Sequence, residues 1–313
     1  MNERLLTLAE AQLGAFGADD AARVGVSSTQ ITTLVRRKVV QRIRRGAYVL
    51  TSRYAVADLD TRRRLRVMAV LRSRPEDRAS HHSALAVLGI STFGVDEDRV
   101  EVESRSTARR RCRGDLVVNP WSGGDTWAWE VFRSVPPALA CVQVAATGGR
   151  TAGVCAMDSA LRLGRCSRDE LLYLASELPT AYRSSVVGAI DSTDDRAESV
   201  GESRTRLVLT DAGFLVESQV EIFDAGTFVG RVDLLVDGCV IVEFDGLMKY
   251  DGIDGRAALA AEKAREEHLI RLGYEVVRIV WADLADPLAI VARVRAARAV
   301  ARERRAAMSR VRG

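Results

Sequence analysis

The chain has 313 residues, 46 Lys and Arg against 42 Asp and Glu, and 47% hydrophobic residues, with a mean hydropathy of -0.02. That length suffices for two or three folded domains, and the balance excludes a disordered chain. No apolar run approaches the ~18 residues of a membrane helix, the start lacks a signal-peptide pattern, and five cysteines without a Cys-x-x-Cys pair predict reduced thiols, no zinc cluster and a cytoplasmic home.

Residues 1–55 read as a winged helix-turn-helix. Asp19 to Arg23 and Ser28 to Lys38 form two short helices joined at Gly25, with Ser27 or Ser28 as N-cap and Ile31, Leu34 and Val35 as the buried stripe. That leaves Ser28, Thr29, Gln30, Thr32, Thr33, Arg36 and Arg37 free for a groove. Val39 to Ile43, a turn at Arg44-Arg45-Gly46, and Ala47 to Leu50 form a basic hairpin whose Arg42, Arg44 and Arg45 would hold phosphate while the second helix reads bases. The alternative use of such a module is protein contact. This segment resembles the N-terminal domain of AbiEi-type antitoxins and related regulators, which implies DNA as the partner.

Residues 56–190 read as a mixed α/β region. Asp60 to Arg74 is a basic helix and His82 to Leu88 a short apolar one. Val100 to Glu103 and Asp115 to Val118 are strands flanking a loop with arginines at 105, 109, 110, 111 and 113. That loop is either a phosphate-binding arm or solvated surface. His81-His82 has no Cys or acidic partner at ligand spacing, so a helix-start role is expected. Arg133 to Thr147, Thr151 to Leu163, Ser167 to Glu177 and Tyr182 to Ile190 have the apolar spacing of a helical bundle.

Residues 191–313 hold the densest signal. Glu198, Glu202 and Arg206 follow at four-residue spacing on a helix. Val232 to Val242 carries Asp237-Gly238 between two apolar runs, the signature of a hairpin. A two-residue loop would pair Asp233 with Val242 and send Asp233 and Glu243 to opposite faces. A three-residue loop, Val236 to Gly238, would pair Asp233 with Ile241 and gather Asp233, Glu243 and Asp245 on one face. Three convergent carboxylates repel unless a hard cation, Mg²⁺ or Mn²⁺, sits among them; otherwise they lie solvated at strand ends. Arg256 to Arg271 is a helix whose Leu259, Lys263, Glu266 and Ile270 are expected to face the sheet, and Tyr274 to Trp281 a further strand. Arg293 to Arg312 is a basic amphipathic tail, suited to phosphate, to a homodimer or cognate partner, or to solvent.

With Glu202-Ser203, Arg231-Val232-Asp233, Val242-Glu243-Phe244-Asp245-Gly246, Lys249-Tyr250, Glu262-Lys263, Arg265-Glu266 and the run Leu272 to Trp281, residues 196–284 resemble the PD-(D/E)XK nuclease superfamily, in the branch similar to very-short-patch-repair endonucleases. The resemblance implies a C-terminal α/β endonuclease-like fold with a mixed central sheet, in an α+β multidomain protein. It also implies Asp233 and Glu243 as metal ligands, Asp245 as a further ligand or holder of metal-bound water, Glu202 as the helical acid, and Lys249 or Lys263 orienting the nucleophile or stabilising the pentavalent transition state. Asp245 stands where the motif normally has Lys, although the branch resembled often carries Asp there. Only three lysines stand in the chain, at 38, 249 and 263, and two fall in this segment; arginine cannot replace them as a titrating base. The expected activity is a metal-dependent DNA endonuclease recruited by the winged helix, in foreign-DNA defence or repair. The alternatives are a DNA-binding regulator or antitoxin whose nuclease fold has lost catalysis, and a protein adaptor.

Overall fold

The computed structural model describes residues 2–96, 98–129, 131–246 and 255–312. The chain separates into two compact units, Met1–Asp191 and Ser192–Gly313, so residues 1–55 and 56–190 belong to one unit.

The first unit opens with α1 (Glu3–Ala11), which sends Leu5 and Ala9 inward, one turn apart. After it come β1 (Ala15–Gly17), α2 (Ala18–Arg23) and α3 (Ser28–Arg36). Gly25 makes the turn between the last two at φ 78°, a conformation that costs glycine nothing. Ser27 caps α3: its hydroxyl accepts the Gln30 N–H while the Gln30 side chain accepts the Ser27 N–H. β2 (Val40–Arg44) and β3 (Ala47–Leu50) form the wing, with β1 completing a three-stranded sheet in the order β1-β3-β2. Phe16, Ala21, Val26, Ile31, Val40 and Leu50 close the core of this winged helix, and Phe16 stacks on Tyr48 at 5.5 Å.

α4 (Thr51–Val56) leads into α5 (Leu59–Arg72), β4 (Arg78–Ala79), α6 (His81–Leu88), β5 (Val100–Ser104), β6 (Arg111–Arg113), β7 (Leu116–Pro120), β8 (Trp127–Trp129) and β9 (Phe132–Ser134). These strands make a six-stranded sheet in the order β6-β7-β5-β4-β9-β8. Its neighbour is the winged helix: a methyl group on Gly17 would lie 2.5 Å from the Arg72 carbonyl oxygen, so β1 and the end of α5 approach closely. Three helices follow, α7 (Pro137–Arg162), α8 (Arg168–Ser176) and α9 (Thr180–Asp191). The helix expected from Arg133 begins only at Pro137, because Phe132–Ser134 pairs with β8 and β4. Two expected helices form a single kinked α7, bent at Gly149 (φ 83°). His81 does start a helix, its N–H donating to Gln143 Oε1 at 2.9 Å.

The second unit is three layers. α10 (Val200–Asp211) precedes β10 (Val216–Asp224), β11 (Thr227–Val236) and β12 (Val240–Asp245); α11 (Gly255–Arg271), β13 (Glu275–Val280), a short 3₁₀ turn (Asp283–Ala285) and α12 (Pro287–Arg312) complete it. The sheet runs β10-β11-β12-β13. Its first two pairings are antiparallel and β12-β13 is parallel, which makes it mixed and requires the crossover that α11 supplies. On one face Leu234, Val236, Val240, Val242, Val277 and Ile279 bury against Leu209 of α10 and Ile290, Val294 and Ala301 of α12. On the other, Leu235 and Ile241 pack under Leu269 of α11.

The basic tail is therefore no free docking helix. Its apolar side is consumed by its own sheet, Arg298 bonds Asp237 at 2.6 Å, and Arg305 donates to the carbonyls of Gly238 and Gly273. Leu288 and Val300 are the large apolar side chains that this helix leaves exposed among the described residues.

Candidate functional site

The β11-β12 hairpin sets the geometry of the acidic site. Val236 pairs with Val240 and Leu234 with Val242, leaving Asp237, Gly238 and Cys239 as the loop. Asp237 and Gly238 both take positive φ, 47° and 65°. This is neither of the two loops that the sequence suggested: three residues are in it, displaced one position towards the C-terminus. Continued by one step, the register sets Asp233 opposite Glu243, and directly opposed residues share a face. Beyond Val242, the Asp233 carboxylate accepts the Phe244 N–H at 2.8 Å, so a side chain stands in for the next rung.

The consequence is electrostatic. Glu243 is raised from 4.5 to about 7, first by burial and then by the charge of Asp233, whose carboxyl is also within hydrogen-bonding reach; Arg265 opposes the shift. Such a pair holds a proton that either carboxyl alone would lose. Glu202, 6% exposed, is raised as well, by burial foremost and in part by Asp233. Its Oε2 accepts from the Glu198 N–H and from Gln219 Nε2, each at 2.9 Å. Gln219 reaches it from a strand position at φ 54°.

The other expected residues are placed differently. Asp245 is exposed at the strand end, two residues beyond Glu243 on β12. Lys249 lies outside the described residues. Lys263 is exposed, because Leu269, 2% exposed, fixes the inward stripe of α11 and puts Arg265, one turn back, over the sheet instead. Arg265 Nη2 lies 3.4 Å from Glu243 Oε1, and its Nη1 donates to the Arg231 carbonyl at 3.2 Å. Arg278, the register partner of Glu243 on β13, pairs with Glu262 at 2.8 Å and Glu266 at 2.7 Å. Arg265 and Arg278 stand in the motifs of the resemblance without an assigned role, and Gln219 was missed; the four-residue spacing of Arg265 from Leu269 points to the first.

As a metal site the pair fits in part. Asp233 and Glu243 supply hard oxygens whose mutual repulsion a divalent cation would relieve. Among the described residues, however, no group of three His, Cys, Asp or Glu gathers closely enough to hold a metal ion. Of the expected trio, Asp233 and Glu243 interact directly, and the charge of Asp233 also acts on Glu202.

In the winged helix, Thr29, Gln30, Arg36, Arg37, Arg42 and Arg45 are exposed and Thr33 is half-buried. Gln30 spends its carbonyl oxygen on the cap of α3, and Thr33 returns its hydroxyl to the Thr29 carbonyl. Arg36, Arg37, Arg42 and Arg45 have no carboxylate partner among the described residues. Arg44 is different: it is half-buried and forms an ion pair with Asp115.

Residues 3–51 match the family model described as "Transcriptional regulator, AbiEi antitoxin", in agreement with a DNA-binding regulatory module. Over 221 residues the chain is 34% identical to "Uncharacterized protein MT2308" of Mycobacterium tuberculosis (strain CDC 1551 / Oshkosh), an alignment covering 67% of this chain and 80% of the relative. The chain belongs to the family of that mycobacterial protein. "Uncharacterized protein Rv2248" of Mycobacterium tuberculosis (strain ATCC 25618 / H37Rv) is a further family member at the same 34% identity and coverage. Among the described residues of this family member, no helix is long and apolar enough to cross a membrane.

Proposed function

We propose that the protein binds duplex DNA through its winged helix and cuts it, with Mg²⁺ or Mn²⁺, in the second unit, in foreign-DNA defence or repair. The carrying observation is the Asp233-Glu243 pair, two carboxylates facing each other across β11 and β12, where burial and the charge of Asp233 raise the Glu243 carboxyl. Asp233 and Glu243 would hold the metal, which when bound supplies an acidified water and neutralises charge on the scissile phosphate. The Phe244 N–H orients Asp233, Arg265 orients Glu243, and Glu202 is locked by two donors. The part of the Arg265 and Arg278 guanidinium groups is to offset charge at the phosphate. Lys249 remains the lysine for the transition state, since Lys263 points to solvent.

A second reading keeps the DNA-binding regulator and drops the chemistry. It is favoured by Asp245 at the motif's lysine position and by the Arg265 guanidinium, which already balances Glu243. Supercoiled plasmid incubated with each metal separates the two. Cleavage by wild type and its loss by orders of magnitude in Asp233→Asn, with DNA affinity in chelator unchanged, supports the nuclease. No cleavage with either metal, and no metal-induced rise in melting temperature, selects the regulator.

A further inference from the structure

The arginine-rich loop of the first unit is structured. β6 (Arg111–Arg113) is an edge strand of the six-stranded sheet, bonded among the described residues to β7, with Arg113 opposite Leu116 and Arg111 opposite Val118. All three of its side chains are exposed, as is Arg109 just before it. Two neighbours have partners: Arg105 lies over the Trp121 ring at 4.1 Å and Arg110 is 3.4 Å from Glu101. Arg109, Arg111 and Arg113 have no carboxylate partner among the described residues.

The same hairpin is tied to the wing. Asp115, next to the β6-β7 turn, takes the ion pair from Arg44 at the wing tip, and Arg66 of α5 approaches it at 3.8 Å. The Asp115 carbonyl accepts the Val100 N–H at 2.7 Å. The carboxylate that neutralises one wing arginine thus clamps a second basic strand beside the wing, where Arg42 and Arg45 keep their charge uncompensated by any described carboxylate. At ~3.3 Å per extended residue, Arg111 to Arg113 spans about 7 Å. Duplex DNA rises ~3.4 Å per base pair along its axis, so that span corresponds to about two base pairs of axial length.

We infer that β6 is a second phosphate-binding arm, which continues the winged helix's contact along the backbone of duplex DNA. The inference rests on the DNA-binding reading of the winged helix. The competing role is defensive, since edge strands use charge to repel other strands, and that role involves no DNA.

The test uses the full chain in chelator with a generic duplex, titrated with KCl. Removing one arginine–phosphate ion pair lowers the slope of log Kobs against log salt by about 0.9. R109A/R111A/R113A should lower the slope by about 2 to 3 with an unchanged melting temperature; R109Q/R111Q/R113Q replaces it if the alanines lower that temperature. Cys112, exposed between Arg111 and Arg113, provides an independent readout. Its alkylation by N-ethylmaleimide, followed by peptide mass spectrometry, should slow when duplex is bound. A wild-type slope in the arm variants, with Cys112 equally reactive with and without duplex, overturns the arm. A reduced slope in R36A/R37A/R42A/R45A in that same experiment would leave the winged-helix reading standing. Equal slopes in all variants, or wild-type affinity for single strands matching that for duplex, would remove both.

Discussion

Replacing Glu243 with Gln should abolish most of the pH dependence of the second unit's stability between pH 4.5 and 7. In the fold this carboxyl holds its proton to about 7, against an ordinary 4.5. Between those values the native state binds more protons than the unfolded chain, so stability is greatest below about pH 4.5, falls as pH rises towards 7 and is level above. At ~1.36 kcal/mol per pH unit the full effect is about 3 kcal/mol. Glu243 keeps 19% of its side-chain surface in water and has Arg265 beside it, so about 1–2 kcal/mol is expected once solvent screening is counted. With a urea m-value of about 2 kcal/mol/M, the wild-type midpoint should drop by roughly 0.5–1 M across the window. E243Q should instead stay nearly level, retaining only the smaller dependence due to Glu202, and should exceed wild type at pH 8. The assay is urea titration of 5-fluorotryptophan-labelled protein by ¹⁹F NMR. Of four tryptophans, Trp281 alone lies in residues 192–313, edge-on to Phe244 at 5.1 Å. A slope that survives in E243Q, or is absent from wild type, refutes the shared-proton account.

Gly201→Ala should cost about 1–3 kcal/mol, because the added carbon would lie 2.1 Å from Phe244; the Trp281 ¹⁹F resonance should move with it, and an unmoved resonance would contradict the packing of α10 on β12. Glu103→Ala should destabilise the first unit by about 3–5 kcal/mol, since it strands the fully buried Arg78 guanidinium, 2.7 Å from Glu103. The double variant R78M/E103L should recover much of that in urea midpoints. Ser27→Ala removes the hydroxyl that caps α3 and should cost about 1 kcal/mol. It should weaken DNA binding without altering its salt slope, because every arginine proposed to meet phosphate is kept.

What was legible in the sequence was local. The Ser27 cap, the Gly25 turn and the Asp237-Gly238 hairpin each depend on two to four neighbouring residues, and the structure has all three. The periodicities of α5, α6, α8 and α9 likewise needed only the chain itself. Leu5 and Ala9 are too sparse a stripe to announce α1, whose packing partners stand elsewhere in the fold.

Pairings between distant segments were decided by tertiary structure. The hairpin loop sits one residue from its expected place, and that step, invisible to composition, puts Asp233 opposite Glu243. Leu269 under the sheet rotates α11 so that Arg265 faces the acids and Lys263 faces water. Arg44 and Asp115, 71 residues apart, met through the docking of the wing against the β6-β7 hairpin. The sequence by itself determined where helices start, where strands turn and which residue types were available for chemistry, because caps and turns are short-range energies. Only the tertiary structure decided which carboxylates share a proton and which arginines stay free for a partner, because burial and Coulomb interaction depend on distances that the fold alone sets.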